Sequence, residues 1–297
     1  MNIETPGKDS REMPLFSGRK LPAGRTLVMG ILNITNDSFY AQSRARDEHD
    51  ALSRALSMAY AGADAVDIGA ESTRPGSRGI DPETEREALT PVIRAVRREL
   101  PDMPISADTR HAMTAAAAIE AGADIVNDVS GLGLPDEAPN MMSLLSETGA
   151  AYVLTHTKGT PDMMQRAPVY DDLISEIRAF FGEHIRALES AGVSREKLII
   201  DPGIGFGKRA SDNLALLANV EKFFSFGLPV LVGASRKGFI GNVAGGPAKD
   251  DPAERLEGTL AVTSLCAAAG VNIVRVHDVS ANRRTIDMID AIARHRL

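Results

Sequence analysis

The feature that most constrains the fold is a short unit that recurs along the chain. AGADAVDIGA at 61–70 and AGADIVNDVS at 121–130 share one order: an Ala-rich helical end, a glycine, a β-branched run and a polar residue. TGAAYVLTH at 148–156 and AAGVNIVRVHDV at 268–279 repeat it with small variations. Glycine suits the left-handed residue that ends a helix, and a continuous apolar run is typical of a strand buried on both faces.

Further strands complete the set, with helical segments between them. Their sequences are TLVMGILNIT (26–35), PISADT (104–109), KLIIDPG (197–203) and PVLVGAS (229–235). Strand followed by helix about eight times predicts a (β/α)8 TIM barrel as a single domain. A doubly wound sheet is the alternative, but no GxGxxG fingerprint follows the first strand.

Composition and charge narrow the class of partner. The 297 residues carry a net charge of −7, whereas a nucleic-acid partner would require clustered Lys and Arg. The single cysteine, Cys266, excludes an internal disulfide and is typical of a cytoplasmic protein. No apolar run reaches the roughly 20 residues of a membrane span. We expect a polar lead-in over residues 1–25 and the barrel over 26–297.

Polar side chains end nearly every predicted strand, where a barrel of this class carries its active site. They are Asn33, Asp67, Asp108, Asn127, Asp128, His156, Asp201, Ser235, Arg236, Lys237, Arg275 and His277. Such groups are costly at the ends of buried strands unless they are paired or used. Asp67 and Asp128 are the candidates for structural hydrogen bonds, and Asp108 could instead cap the helix that follows it.

The chemistry of these side chains indicates the kind of ligand. Asp108, Asn127 and Asp201 suit the donor edge of a flat heterocycle, because a buried carboxylate can accept two parallel N–H donors. Lys237, Arg275 and His277 supply donors and positive charge for carbonyl or phosphate oxygens. We therefore expect a ligand with a donor-rich ring at one end and an anion at the other.

The run IIDPGIGFGK at 199–208 resembles a phosphate-binding loop only superficially. Its glycines and Lys208 lack the GxxxxGK[ST] spacing, and it follows a late strand. We interpret it as a tight turn around whatever Asp201 binds, with Phe206 as an apolar wall. A glycine-rich turn with no ligand is the alternative.

Seven motifs occur in an order that resembles the dihydropteroate synthase family. They are MGILNITNDSF, DIGAESTRPGS, SADT, ND, IIDPGIGFGK, GASRKGFIG and RVHDV, and the resemblance covers roughly Leu27 to Leu297. It implies a (β/α)8 barrel, usually a homodimer, that joins 4-aminobenzoate to 6-hydroxymethyl-7,8-dihydropterin diphosphate and releases pyrophosphate. It also implies Mg²⁺ as the cofactor and a target for sulfonamides.

The resemblance assigns roles by position, beginning with the pterin pocket. Asp108, Asn127, Asp201 and Lys237 are similar to the residues that hold the pterin ring, with Asp201 on its pyrimidine N–H edge. Arg275 is similar to the residue that stacks on the pterin and reaches the diphosphate.

The same resemblance assigns the diphosphate and aminobenzoate ends. Asn33 matches the magnesium-linked residue and His277 the diphosphate ligand, while Thr73 and Arg74 organise the diphosphate and the incoming amine. The expected lining of the aminobenzoate site is Phe39, Pro75, Phe206 and Ser235. The residues expected to carry catalysis are Arg74, Asp201, Lys237 and Arg275.

Two departures from the family pattern keep other functions open. Asn36 stands where the family usually has proline, and Thr155 and Thr157 replace apolar residues, often methionine. A pterin-binding paralogue without turnover is therefore one alternative. A methyltransferase that passes a folate methyl group to a corrinoid protein is another, although the STRPG loop and the SRK lysine favour the synthase.

Overall fold

The computed structural model describes residues 13–15, 18–34, 44–70, 80–159 and 168–295. Ten strands are defined in this part of the chain: β1 Met13–Pro14, β2 Lys20–Leu21, β3 Leu27–Asn33, β4 Ala65–Gly69, β5 Ile105–Asp108, β6 Ile125–Asp128, β7 Ala151–Thr155, β8 Leu198–Asp201, β9 Leu231–Val232 and β10 Ile273–Val276. The α-helices defined there are α1 Arg44–Tyr60, α2 Pro82–Glu99, α3 Ala112–Ala121, α4 Ala138–Thr148, α5 Leu173–Ser190, α6 Ala210–Ala218, α7 Gly238–Ala244, α8 Leu256–Ala269 and α9 Val279–Ala293.

The eight strands β3–β10 form one parallel sheet that closes on itself. Their order is β8-β7-β6-β5-β4-β3-β10-β9. Ile200 pairs with Val230 across the two ends of this sheet, and its N–H donates to the Pro229 carbonyl at 3.0 Å. The predicted TIM barrel is thereby confirmed, and the doubly wound sheet is not what the chain forms.

The glycines of the repeated unit end their helices as expected. Gly122 follows α3 with φ 116° and Gly270 follows α8 with φ 95°, both in the left-handed region. Each N–H bonds back to carbonyls of the last helical turn. Because a side chain is strained in this region, glycine stops the helix and turns the chain into the next strand.

The aspartate that ends each AGAD sequence clamps the amino-terminal end of the barrel. Asp64 accepts the N–H of Val28 at 2.8 Å, and Asp124 accepts the N–H of Ile105 at 2.9 Å. Each carboxylate also binds two arginines, which are Arg25 and Arg283 at Asp64, and Arg19 and Arg97 at Asp124. The sequence repeat therefore encodes the same strand-start clamp twice.

A two-stranded hairpin, β1 with β2, packs against the amino-terminal ends of the barrel strands. Met13, Leu15 and Leu21 are buried in one apolar cluster with inward-facing strand residues such as Leu27 and Ile125. The described part of the predicted polar lead-in therefore has an apolar side that covers the amino-terminal end of the barrel. The division of the chain at residue 25 stays a prediction.

In the described ranges, no helix is long and apolar enough to cross a membrane.

Candidate active site

The barrel interior changes from apolar to polar along the strands. Ile125, Ile199 and Ile273 belong to the apolar cluster at the amino-terminal end of the barrel. Side chains two residues apart in a strand face the same side, so the next inward positions can be read directly from the sequence. They include Asp67, Asn127, Thr155, Asp201 and Arg275. The carboxyl ends of the strands therefore surround a polar pocket above an apolar plug.

Arg275 joins two neighbouring carboxylates in this pocket. Its Nε lies 2.5 Å from Asp67 Oδ2, and its terminal nitrogen lies 2.5 Å from Asp108 Oδ2. Asn127 Nδ2 donates to the same Asp67 oxygen at 3.1 Å. Burial disfavours the charged guanidinium, but Asp67 and Asp108 outweigh that effect and raise the pKa of Arg275. These contacts fix the arginine as a permanent cation within the pocket.

Asp201 and Lys237 face the same space from the other side of the barrel. Gly233 lies between Arg275 and Asp201. A Cβ atom at Gly233 would lie 3.9 Å from Arg275 Cδ and 4.0 Å from Asp201 Oδ2, so the two side chains approach the same space. Burial raises the pKa of Asp201 and lowers the pKa of Lys237 to about 8, each partly offset by the other's charge. The pocket thus holds an acceptor and a donor that are both poorly solvated, which strengthens their bonds to a ligand.

The segment after β8 holds Lys237 in place. The Lys237 ammonium group donates to the Ile204 carbonyl and lies 4.1 Å from the centre of the Phe206 ring. Gly203 has φ 73°, and a Cβ there would lie 1.9 Å from the His156 carbonyl oxygen. Glycine is therefore required for close approach to the end of β7, as expected of a tight turn around the pocket.

Ser235 and His277 form a second polar pair at the strand ends. Ser235 Oγ lies 3.0 Å from His277 Nδ1 and also accepts the His277 N–H at 3.2 Å. Next to them, Arg236 has φ 57° and makes two bonds to Asp278, at 2.6 and 2.9 Å. Ser235 and His277 are thus brought together, as two neighbouring polar strand ends should be.

The remaining predicted residues are less connected or are not described. The Asn33 side chain is exposed at the end of β3, and its carbonyl accepts Arg54 at 3.0 Å. No group of three or more His, Cys, Asp or Glu side chains in the described residues could hold a metal ion. Five predictions lie outside the described residues: Asn36, Phe39, Thr73, Arg74 and Pro75.

Asp67 and Asp128 were the two candidates for structural hydrogen bonds, and both make bonds within the protein. Asp128 accepts the Tyr152 hydroxyl at 2.7 Å and the backbone of Ser130 at 2.8 Å, which confirms its structural role. Asp67 bonds to Arg275 and Asn127, so its structural bonds also position two residues of the pocket. Asp108 does not cap α3, whose N-cap is His111, but binds Arg275 instead. In the sequence, Asp67 follows Ala65 by two residues. Because Ala65 packs inside the barrel, the alternation along β4 indicates that Asp67 faces inward too.

In the part of the chain that the structure describes, three buried polar atoms at inward positions have no hydrogen-bond partner. They are Asp67 Oδ1, Ser106 Oγ and Thr155 Oγ1, from β4, β5 and β7. All three residues are completely buried. Buried polar groups are normally paired, and each unpaired group costs free energy. These three atoms therefore mark places on the inward faces of the strands where the free protein keeps polar groups buried and unpaired.

Comparison with known proteins places the chain in a family. Residues 29–277 match the family of pterin-binding enzymes, and the chain belongs to this family. A dihydropteroate synthase of Synechocystis sp. is 42% identical over 270 residues, which are 91% of each chain. A Yersinia pestis dihydropteroate synthase solved with a sulfonamide drug complex superposes with a TM-score of 0.87 at 36% identity, covering 96% of this chain and all of that one.

A further solved relative carries a small ligand. The Xanthomonas albilineans dihydropteroate synthase with 4-aminobenzoic acid superposes with a TM-score of 0.84 at 36% identity, covering 95% of this chain and 98% of that one. Within the family, these relatives are all dihydropteroate synthases. The resemblance predicted from the seven motifs is confirmed.

Proposed function

We propose that this chain is a dihydropteroate synthase, a transferase of folate biosynthesis. It condenses 6-hydroxymethyl-7,8-dihydropterin diphosphate with 4-aminobenzoate to give 7,8-dihydropteroate and pyrophosphate. The observation that carries the proposal is the buried polar pocket at the strand ends, in which Arg275 bridges Asp67 and Asp108. Family membership and identity near 40% over nearly the whole chain support the same reaction.

The pterin ring fits the deep part of this pocket. Asp201 is buried and can accept the paired N–H donors of the pyrimidine edge. Lys237 supplies a donor for the ring carbonyl oxygen, and the pocket face of the Arg275 guanidinium is suited to stacking on the ring. Asn127 is held by Asp67 and offers its amide oxygen as a further acceptor.

The transfer step requires stabilisation of a leaving group rather than a strong base. The bond between the pterin methylene carbon and the diphosphate oxygen breaks, and its electron pair leaves with pyrophosphate. The arylamine nitrogen then forms the new C–N bond and releases one proton. Arg275 and His277 lie at the strand ends where the departing oxygens would gain charge. Orientation of the two substrates supplies much of the remaining catalysis.

Magnesium fits the proposed reaction, but only together with the substrate. Asn33 offers one exposed amide oxygen at the end of β3, and Mg²⁺ commonly combines few protein ligands with substrate phosphate oxygens. Bound there with the diphosphate, the ion would neutralise charge on the leaving group. Equilibrium dialysis tests this: Mg²⁺ retention should require pyrophosphate and should weaken in Asn33→Ala.

A homodimer and a cytoplasmic location complete the proposal. Exposed apolar side chains on the late helices support self-association, and they include Leu265 of α8 and Met288 and Ile292 of α9. Light scattering would measure the mass directly, and a monomer at micromolar concentration would contradict the dimer. The lone free cysteine, Cys266, supports the location.

The proposed function is tested by product formation. The purified chain is incubated with the dihydropterin diphosphate, 4-aminobenzoate and magnesium, and 7,8-dihydropteroate is followed by mass spectrometry. Product that requires both substrates is expected. Tight pterin binding without product would identify a non-catalytic paralogue, and methyl exchange between a folate and cobalamin would identify the methyltransferase.

A further inference from the structure

We propose that Thr155 contacts the bound pterin through its hydroxyl group and is a specificity-determining residue of this enzyme. The inference rests on the proposed function and deepens it. It concerns a position at which this chain has a hydroxyl-bearing residue and the family pattern usually has a longer apolar one. Two structural observations support it: the direction in which Thr155 faces and the lack of a partner for its hydroxyl.

The direction of Thr155 follows from the alternation along β7. Ala151 and Val153 pack in the apolar cluster inside the barrel. Tyr152 and Leu154 pack in a different cluster, with residues of the surrounding helices. Because side chains alternate faces along a strand, Thr155 is the third inward position of β7. It therefore lies above the apolar plug, at the level of the pocket.

The neighbour of Thr155 on the adjacent strand is Asp201. The two residues are direct partners in the parallel pairing of β7 with β8, and Asp201 also follows an inward residue, Ile199. A ligand held by the Asp201 carboxylate consequently lies beside the Thr155 side chain. A threonine hydroxyl can both donate and accept a hydrogen bond, so it can pair with either kind of atom on the ring.

The hydroxyl is buried but unpaired. Thr155 has no exposed surface, and its Oγ1 makes no hydrogen bond to any of the described residues. Threonine hydroxyls in strands usually find a backbone or side-chain partner, and an unpaired one lowers stability. A group that costs stability in the free protein and lies on the inward face beside Asp201 can recover that cost when a ligand pairs with it.

The hydroxyl and the size of the side chain have separable effects. Thr155→Val keeps the shape and removes only the hydroxyl, while Thr155→Ser keeps the hydroxyl. Thr157 provides a matched control, because it is two residues along the same segment but is partly exposed. Thr157→Val makes the same chemical change outside the buried position.

The test is calorimetric binding of 6-hydroxymethylpterin, which lacks the diphosphate and so does not turn over. Thr155→Val should weaken binding roughly 3- to 10-fold, while Thr155→Ser and Thr157→Val stay close to wild type. The melting temperature of free Thr155→Val should be unchanged or higher, since the variant no longer buries an unpaired hydroxyl. In steady-state assays, KM for the pterin diphosphate should rise and KM for 4-aminobenzoate should not.

Other outcomes overturn the inference in distinguishable ways. Wild-type affinity in Thr155→Val would show that the hydroxyl does not meet the ligand. A lower melting temperature together with equal losses for both substrates would mean that Thr155 is structural. If the wild-type chain itself fails to bind the pterin, the proposed function is wrong. The proposed contact between Thr155 and the pterin is then wrong as well.

Discussion

The side-chain nitrogen of Lys208 lies 2.9 Å from Nδ1 of His156, inside the protein. It also contacts the carbonyl oxygens of His156 at 3.2 Å and Phe206 at 2.9 Å. Burial lowers the pKa of His156 to about 2 and that of Lys208 to about 7. His156 is therefore neutral and accepts through Nδ1. A charged Lys208 has three donors for these three acceptors, so it ties the glycine-rich segment to the end of β7.

The buried lysine predicts how stability changes with pH. Its folded pKa of about 7 is below its usual 10.5, so the unfolded chain binds more protons between these values. Stability should therefore rise with pH in this window. Between about pH 7 and about pH 9, the rise from this group is about 2 kcal/mol. The free energy of unfolding of Lys208→Met, measured with urea, should therefore change less with pH than that of the wild type.

The exposed Lys222 provides the control for this prediction. Lys222→Met removes one lysine without touching the buried site and should keep the wild-type slope. An unchanged slope in Lys208→Met would mean that this lysine keeps its usual pKa in the folded protein.

Lys237 predicts an alkaline limit to activity. Burial lowers its pKa to about 8, and the charged form is the one expected to bind the pterin oxygen most strongly. The kcat/KM for the pterin substrate should therefore fall above about pH 8, approaching tenfold per pH unit. In Lys237→Arg this fall of kcat/KM at high pH should disappear, because arginine stays charged, even if the rate at lower pH is reduced. If Lys237→Arg shows the same fall, another group is responsible for it.

The clamp at Asp124 predicts a loss of stability without a loss of chemistry. Asp124 is completely buried and binds Arg19, Arg97 and the N–H of Ile105. Asp124→Asn leaves two arginines less well paired and should cost about 3 kcal/mol of unfolding free energy. Because the clamp lies at the opposite end of the barrel from the pocket, kcat of the folded variant should stay near wild type.

Asp287 offers a matched comparison for that measurement, since it also binds an arginine but is exposed. Asp287→Asn should change the unfolding free energy by less than about 1 kcal/mol. Equal effects of the two substitutions would contradict the assigned role of Asp124.

The barrel was predictable because its signal is repeated. Units such as 61–70 and 121–130 carry the helix stop, the buried strand and the polar strand end in one order. A wrong strand or helix boundary in one unit therefore does not change the predicted fold class. The hairpin was not predictable, because Met13 and Leu21 belong to strands of only two residues. Strands this short show no periodicity, and their burial depends on the barrel above them.

The site was predictable where a polar residue ends an apolar strand, as at Asp201 and Arg275. It was harder where function depends on pairing between strands. Asp67 looks like any buried structural carboxylate until its bond to Arg275 across 208 positions of sequence is seen. Lys208 likewise reads as the end of a glycine-rich turn, because nothing in the sequence shows that His156 lies next to it.

The most direct test of the account is pyrophosphate release from the dihydropterin diphosphate with 4-aminobenzoate and magnesium, comparing wild type with Asp201→Asn and Lys237→Ala. Lys222→Ala serves as the exposed control. The account predicts release that requires both substrates, that falls by roughly 100-fold or more in the two pocket variants, and that persists in the control. Folded wild-type protein that binds the pterin but releases no pyrophosphate would contradict it.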